Sequence, residues 1–500
     1  MGKRAWALLL VLCGTIFLEG ADVAMMAVAI PSIRADLGLA TDTAAWVVSG
    51  YVLGYAGFTL LGGRAADLLG RRRMFLLWLT VFLAFSGLGG FATDGWMLVV
   101  ARFVTGVSAA FMTPAALSLI TTSYPEGPQR DKALLVFAGT GAGGFSLGLV
   151  VGGLLTELGW RWVFFAPVLL AAALLLAAVR LIPRQEAPSA ARRGFDLPGA
   201  LTAAGAMLLA AYAVVRLEHG LDGWQLTTAA AFAAVLLAAV FVTVERRSAA
   251  PLVRLGILRT GSVVRADLGA LLFVGAFFGF QFVVTLYLQE LRGWSSFQTA
   301  VALVIMGCDA VLAPTLTPKL VARFGNARVI VGGFALAVVA YGMFLRVGLD
   351  WPYPAMLPTL FLAGTAFALA YGPLTIAATD GVADAEQGLA GGLLHTATQF
   401  GSAIGIAAVT AVYGLAAGES SGSAADGAGS SGSAPEETLS AFRTALTVPV
   451  GMVVLGLVLS LLSVRAARRA VRRASQVSSV SASQTSANPA QRSGGMSSWK

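Results

Sequence analysis

Fourteen apolar stretches run through the 500-residue chain, at 5–30, 45–63, 74–92, 96–120, 133–156, 161–182, 197–217, 225–245, 262–289, 298–318, 328–347, 354–378, 387–416 and 444–465. Each is close to the roughly 20 residues that an α-helix needs to cross the hydrocarbon core of a bilayer. The expected fold class is therefore an all-α polytopic membrane protein. Hydrophobic residues make up 57% of the chain and charged residues 12%, whereas a soluble domain carries about 25% charge. A net charge of +9 does not point to nucleic acid, because the basic residues are scattered between apolar stretches and not gathered on one face. Cys13 and Cys308 both fall inside apolar stretches, which offers neither a disulfide framework nor a zinc site. No enzyme activity, metal or cofactor is expected.

Loop charge sets the orientation, since Lys and Arg are retained on the inner side during insertion. Arg71 to Arg73, Arg130 with Lys132, Arg184 with Arg192 and Arg193, the group Arg246, Arg247, Arg254 and Arg259, and the group Lys319, Arg323 and Arg328 fall on one side of a fourteen-span map. Asp94, Glu218 with Asp222, and the segment holding Glu419, Asp426, Glu436 and Glu437 fall on the other. Both termini are expected in the cytoplasm, and the chain in the cell (inner or plasma) membrane. The first stretch does not read as a cleaved leader: it continues to Ile30 and holds Glu19 and Asp22, whereas a leader's apolar core spans about 7–15 residues. Gly418 to Pro435 is Gly/Ser-rich and reads as a flexible external loop. The tail at 466–500 is basic and then Ser-rich, with Arg468, Arg469, Arg472 and Arg473 placed to meet anionic lipid.

Two motif lookalikes fail on context. Gly139-Thr-Gly141-Ala-Gly143-Gly144 has the spacing of a dinucleotide fingerprint and Gly144-Phe-Ser146-Leu-Gly148 that of a nucleophile elbow. Both lie in an apolar helical stretch with no preceding strand, and His219 and His395 belong to unrelated segments. What remains is a face of small residues, with Gly144, Gly148 and Gly152 recurring every four residues, which permits close helix contact.

Ionisable residues inside the spans carry most of the functional information, because a charge at mid-bilayer costs at least about 2.5–3.5 kcal/mol and persists only with a partner or a cavity. Glu19, Asp22, Arg102 and Asp309 form the short list. At about 1.5 Å per residue, Asp22 lies roughly 13 Å and Arg102 roughly 9 Å below the outer ends of their spans. They are expected to approach within about 6 Å, the range in which opposite charges affect one another's protonation. Glu19 sits one turn from Asp22 on the same face. Two readings stay open, a static ion pair holding two helices and a proton-linked switch. Asp309, about 16 Å into its span, is a candidate second acid.

Between the second and third spans stands Gly63-Arg64-Ala65-Ala66-Asp67-Leu68-Leu69-Gly70-Arg71-Arg72-Arg73, a basic, glycine-framed block. It resembles the signature loop of the major facilitator superfamily, in which Gly63 starts the turn, Asp67 meets a neighbouring helix, and Gly70 with Arg71 and Arg72 completes a hinge. Leu68 stands where an Arg is more usual. Asp22 to Pro31 is similar to the first-span signature of the fourteen-span drug/proton antiporters, with Ala24 and Ala27 replacing Thr and Asn. Leu98, Arg102, Gly106, Ala109 and Ala110 resemble the fourth-span signature, whose Arg is associated with proton coupling. Gly144, Gly148, Gly152 and Gly153 resemble the fifth-span antiporter signature, with Leu149 in place of a proline. Trp160-Arg161-Trp162, Phe195-Asp196, Tyr287-Leu288-Gln289 and the run from Gly388 to Gly401 add matches, so the likeness covers roughly 5–465.

That resemblance implies two six-helix halves, at 5–182 and 262–465, with cytoplasmic linkers and two inserted helices at 183–261 between them. It implies proton-coupled efflux of a small lipophilic or cationic molecule by a monomer in contact with membrane lipid. Asp22, Glu19, Arg102 and Asp309 would couple protons, Asp67 with Arg71 and Arg72 would gate, and Phe277, Gln281, Tyr287, Gln289, His395 and Gln399 would stand near a cavity, with Phe278 and Phe280. Such a pocket, apolar with a few polar anchors, suits amphipathic drugs. Export of one metabolite or siderophore, and a non-transporting membrane sensor, are the alternatives.

Overall fold

A computed structural model describes residues 2–39, 41–183, 196–216, 224–248, 256–257, 260–424 and 434–465. The expectations for Arg184, Arg192, Arg193, Phe195, Glu218, His219, Asp222, Arg254, Arg259, Asp426 and the 466–500 tail lie outside the described residues.

Among the described residues the regular structure is entirely helical. Fourteen helices are long and apolar enough to cross a membrane: α1 (Lys3–Leu37), α2 (Trp46–Leu69), α3 (Arg71–Gly90), α4 (Gly95–Ser123), α5 (Pro128–Leu158), α6 (Trp162–Leu181), α7 (Pro198–Arg216), α8 (Trp224–Arg247), α9 (Gly261–Leu291), α10 (Phe297–Thr315), α11 (Asn326–Phe344), α12 (Tyr353–Thr379), α13 (Asp384–Ala416) and α14 (Pro435–Arg465). A multi-pass membrane protein is built this way because lipid offers no partner to a backbone N–H or C=O, so each span closes its own hydrogen bonds.

Pairing repeats between α1–α6 and α9–α14. α1 lies along α5 as α9 lies along α13, and α3 lies along α4 as α11 lies along α12. The two sets meet along two seams, α2 against α13 and α5 against α10. The inserted pair stands to one side: α7 packs on α2 and touches α13, while α8 packs on α7 and is little buried.

Close approach without side chains holds these pairs, since lipid tails provide no hydrophobic drive between helices and van der Waals packing has to supply it. A Cβ on Gly144 would lie 2.4 Å from the carbonyl oxygen of Phe17 in α1, one on Gly148 2.7 Å from the Cα of Ala21, and one on Gly152 2.7 Å from the Cα of Met25. Gly153 differs from its three neighbours in the motif. It turns away from α1 and meets the ring of Phe297 in α10, because a step of one residue rotates about 100° around a helix with 3.6 residues per turn.

The block read as a loop from Gly63 to Arg73 is not a loop. Helix α2 continues to Leu69, α3 begins at Arg71, and Gly70 alone breaks the helix, at φ +101°. Glycine makes that left-handed step without the steric cost a Cβ imposes. The charges that suggested a loop are tolerated in helix because they are partnered: Asp67 lies 3.2 Å from Arg71 across the break. Arg72 donates to the carbonyls of Ile182 and Val179 at the end of α6, at 3.0 and 3.1 Å. A cation there satisfies carbonyls that the helix end leaves open.

Candidate functional site

A buried ion pair lies between α1 and α4. The guanidinium of Arg102 donates to the carboxylate of Asp22, and each residue is 2% exposed. The guanidinium also lies over the ring of Tyr51, 4.5 Å from its centroid, a second desolvated contact that favours a cation. The two helices therefore bring together the residues whose depths matched in the sequence. One turn towards the N-terminus along α1, Glu19 accepts a hydrogen bond from Thr113 at 2.8 Å, with the hydroxyl of Tyr55 beside it.

A cavity of about 700 Å³ opens between the two helix sets. That is within the range of small-molecule sites, about 300–1,000 Å³. Glu19, Asp309, His395 and Tyr371 lie at its deep end, and its wall reaches Pro31, Ser49, Gln289 and Thr299 near the span ends opposite the termini. α7 contributes Val214 and Val215 to the wall. Phe277, Phe278, Gln281, Gln289, His395 and Gln399, expected near a cavity, line it.

Two expected residues do not. Tyr287 is fully buried behind the wall, donates its hydroxyl to the carbonyl of Gly348 at 2.7 Å, and packs edge-on against Phe344 and Phe442. Its donor is satisfied inside the fold, and its full burial keeps it from a ligand in the cavity. Phe280 is stacked on Tyr341 with ring centroids 4.4 Å apart. Asp22 is not among the cavity-lining residues, though its neighbours Glu19 and Tyr51 are.

Cavity residues that the sequence reading missed include Tyr51, Tyr55, Phe145, Ser146, Phe367 and Tyr371. The spacing of Tyr51 and Tyr55, two hydroxyl-bearing rings one turn apart in an apolar span, was a usable signal; the others carried none. Asp267 in α9 was also missed. It is partly buried, and among the described residues its Oδ1 has no partner, but it does not line the cavity.

Near the termini, one carboxylate ties the two helix sets together across the α2–α13 seam. Asp67 accepts from the backbone N–H groups of Gly388 and Leu389, at 3.1 and 3.0 Å, while Arg71 donates both to Asp67 and to the carbonyl of Asp384. The first turn of a helix leaves its N–H groups without intrahelical partners, so an acid from α2 caps the helical run that begins at Gln387, across the seam. Gly63 and Gly388 make the approach possible, since a Cβ on either would lie 2.3–2.4 Å from the other's carbonyl oxygen.

Losing such a cap costs about 1 kcal/mol, which is about fivefold in an equilibrium. Asp67→Ala is therefore expected to speed hydrogen–deuterium exchange of the Gly388 and Leu389 amides by about fivefold or more, with Asp67→Asn affected less because its carbonyl still accepts. Unchanged exchange in Asp67→Ala would show that the seam is held by packing alone.

A family model described as Major Facilitator Superfamily matches residues 12–406. The chain is 34% identical over 469 residues to the puromycin resistance protein pur8 of Streptomyces alboniger, covering 92% of this chain and 91% of that one. It is 34% identical over 426 residues to the cephamycin export protein CmcT of Amycolatopsis lactamdurans, covering 82% and 86%. Among solved structures, the human organic anion transporter MFSD10 aligns with a TM-score of 0.62 at 15% identity, over 92% of this chain and all of that one. The proton:xylose symporter XylE aligns with a TM-score of 0.60 at 17% identity, over 91% and 95%. These two likenesses are of fold.

Proposed function

The chain belongs to the major facilitator superfamily, and we propose on that premise that it exports antibiotic-like small molecules from the cell in exchange for protons. The observation that carries this reading is the cavity between the two helix sets, with the carboxyls of Glu19 and Asp309 in its wall and the Asp67 contact to Gly388 tying the two sets together nearer the termini. Relatives named for puromycin resistance and cephamycin export support the direction and the class of cargo.

The working unit is a monomer in the cell membrane, with both termini cytoplasmic. In that orientation the Asp67 latch closes the inner face and the cavity faces outward. External protons reach Glu19 through the cavity and pass one turn along α1 to Asp22. A proton on Asp22 removes the charge that Arg102 is paired with, and the α1–α4 contact loosens. Cargo leaves, the latch opens, and the two helix sets rock about the cavity, as expected where repeats enclose a central site. Inside, Asp22 releases its proton and the pair re-forms, while Asp309 serves as a second exchangeable carboxyl. Arg102 thus competes with the proton for one carboxylate.

Inside-out membrane vesicles with an imposed pH gradient test this with a panel of antibiotics. Accumulation that collapses when the gradient is dissipated is the expected result, and its breadth across the panel separates drug efflux from export of one metabolite. No gradient-dependent flux of any compound would overturn the reading. Reporter fusions test the orientation separately: an external signal at Ser431 and an internal one at the C-terminus are expected, and an internal signal at Ser431 would reverse the map.

A further inference from the structure

We propose that the inserted helix α7 is a working wall of the cavity: it stands in a fork between α2 and α13, presents Val214 and Val215 to whatever the cavity holds, and keeps the acyl chains of the surrounding lipid out. The proposal rests on the reading above only for calling the leaflet at that end the outer one.

The two seams between the helix sets are built differently. Along α5 and α10 small residues meet at successive levels. A Cβ on Gly139 would lie 2.9 Å from the Cβ of Ala313, one on Gly143 2.8 Å from that of Ala310, and one on Gly153 3.4 Å from the ring of Phe297. These levels run almost the whole length of α10, and close packing shuts that seam. Along α2 and α13 the close approach is at the end nearer the termini, where Gly63 meets Gly388 and a Cβ on Gly392 would lie 3.1 Å from the carbonyl oxygen of Thr59. Farther from the termini both helices line the cavity, α2 with Val48 and Val52 and α13 with Ala403 and Ile406.

The inserted helix fills that fork. A Cβ on Gly57 of α2 would lie 2.5 Å from the side chain of Leu208 in α7. Ala211 shares a buried cluster with Leu53 and Ala56 of α2 and with Phe400 of α13, and Tyr212 stacks on Trp46 with ring centroids 6.1 Å apart. The following residues of α7, Val214 and Val215, line the cavity. A third helix reaches a cavity wall only where the two in front of it part. α8 backs α7 on its far side, where Leu237 meets Gly205 and Phe232 is 72% exposed.

Volume is what such a wall contributes. Lipid tails are as apolar as these side chains, so the chemistry of an open fork would turn no acyl chain away. A chain that entered would take the space of an apolar ligand. Valine suits the position, because branching at Cβ restricts its rotamers and holds the wall in one shape. The same two side chains set the width of the cavity on this side, which makes them specificity-determining residues supplied from outside the two six-helix sets.

Single cysteines in a full-length chain carrying Cys13→Ala and Cys308→Ala test the wall in nanodiscs. The water-soluble cation 2-(trimethylammonium)ethyl methanethiosulfonate is expected to modify Val215→Cys about tenfold or more faster than Leu201→Cys on the lipid side of α7, because a thiolate and a charged reagent meet in water and not in lipid. A bimane on Val52→Cys then reports lipid entry. Phosphatidylcholine carrying a doxyl group midway along one acyl chain should quench it weakly, and should quench a bimane on Phe232→Cys strongly. Adding Val214→Ala with Val215→Ala should raise quenching at Val52 towards the Phe232 level.

Modification of Val215→Cys no faster than Leu201→Cys would overturn the proposal. So would equal quenching at Val52 and Phe232 with the natural wall, or no rise in quenching when the wall is trimmed. The first two readings leave the wall untrimmed, so they decide the matter if the trimmed variant fails to fold. None of them requires flux: gradient-driven export can fail while the wall holds, and the wall can fail while export persists.

Discussion

Asp22→Asn is expected to abolish accumulation driven by a pH gradient in inside-out vesicles while the chain is still inserted. The loss should be complete because the proposed exchange depends on this carboxyl. A proton-motive force of about 150 mV supplies roughly 3.5 kcal/mol per proton, from about 2.3 kcal/mol per 100 mV, enough for a gradient of a few hundredfold at about 1.4 kcal/mol per decade. A carrier that no longer exchanges the proton relaxes to no gradient at all. Removing one partner of a buried pair also leaves the other charge uncompensated, which costs about 3–5 kcal/mol. The single variant is therefore expected to melt at a lower temperature. The double variant Asp22→Asn with Arg102→Gln separates the two effects, because it removes both charges together. Its thermal stability should recover and its proton-driven accumulation should not. Transport that returns along with stability would reduce the pair to a structural tie between α1 and α4, the static reading that the sequence left open.

Gly148→Leu is expected to prevent folding of the first helix set. A Cβ at this position already falls 2.7 Å from the Cα of Ala21, 2.8 Å from its carbonyl oxygen and 2.9 Å from the Cβ of Ala24. The first two are backbone atoms, which move only if the whole of α1 moves. Overpacking a tight interface costs about 1–3 kcal/mol where side chains can adjust, and here they cannot. Gly148→Ala should lower the melting temperature measurably, and Gly148→Leu should leave little monodisperse protein after extraction. Gly332 in α11 is the control, since a Cβ there meets nothing within 4 Å. Gly332→Ala should be neutral or slightly stabilising, as expected for a helical glycine replaced by a better helix former. Equal yields and melting points for Gly148→Leu and Gly332→Leu would show that the α1–α5 contact is not what limits folding.

These two predictions draw on different kinds of legibility. The glycine stripe could be read from spacing alone: Gly144, Gly148 and Gly152 repeat every four residues, one face of a helix, and a bare face has use only against another helix. Which helix it meets could not be read, because nothing in the stripe names α1. Gly153 shows the same limit from the other side, since it shares the motif but faces α10. Asp22 and Arg102 were a better case. Charges in lipid require partners, the two depths agreed, and only a few intramembrane charges were on the short list.

Asp309 and Tyr287 mark where sequence reasoning stops. Both are polar residues in apolar spans, yet among the described residues one has two unpartnered oxygens at the cavity and the other has a satisfied hydroxyl behind its wall. Composition and period cannot tell these apart, because the difference is which of several equally apolar neighbours covers each face. Along the chain itself, the number of spans, the helical class and the charges that must find partners were determined by the sequence, since bilayer thickness and the cost of an unpaired group act locally on every segment. The seams, the cap that Asp67 places on a helix more than three hundred residues away, and the cavity with its unpartnered acid were decided only by tertiary structure. They depend on contacts between helices whose lipid-like surfaces carry no address.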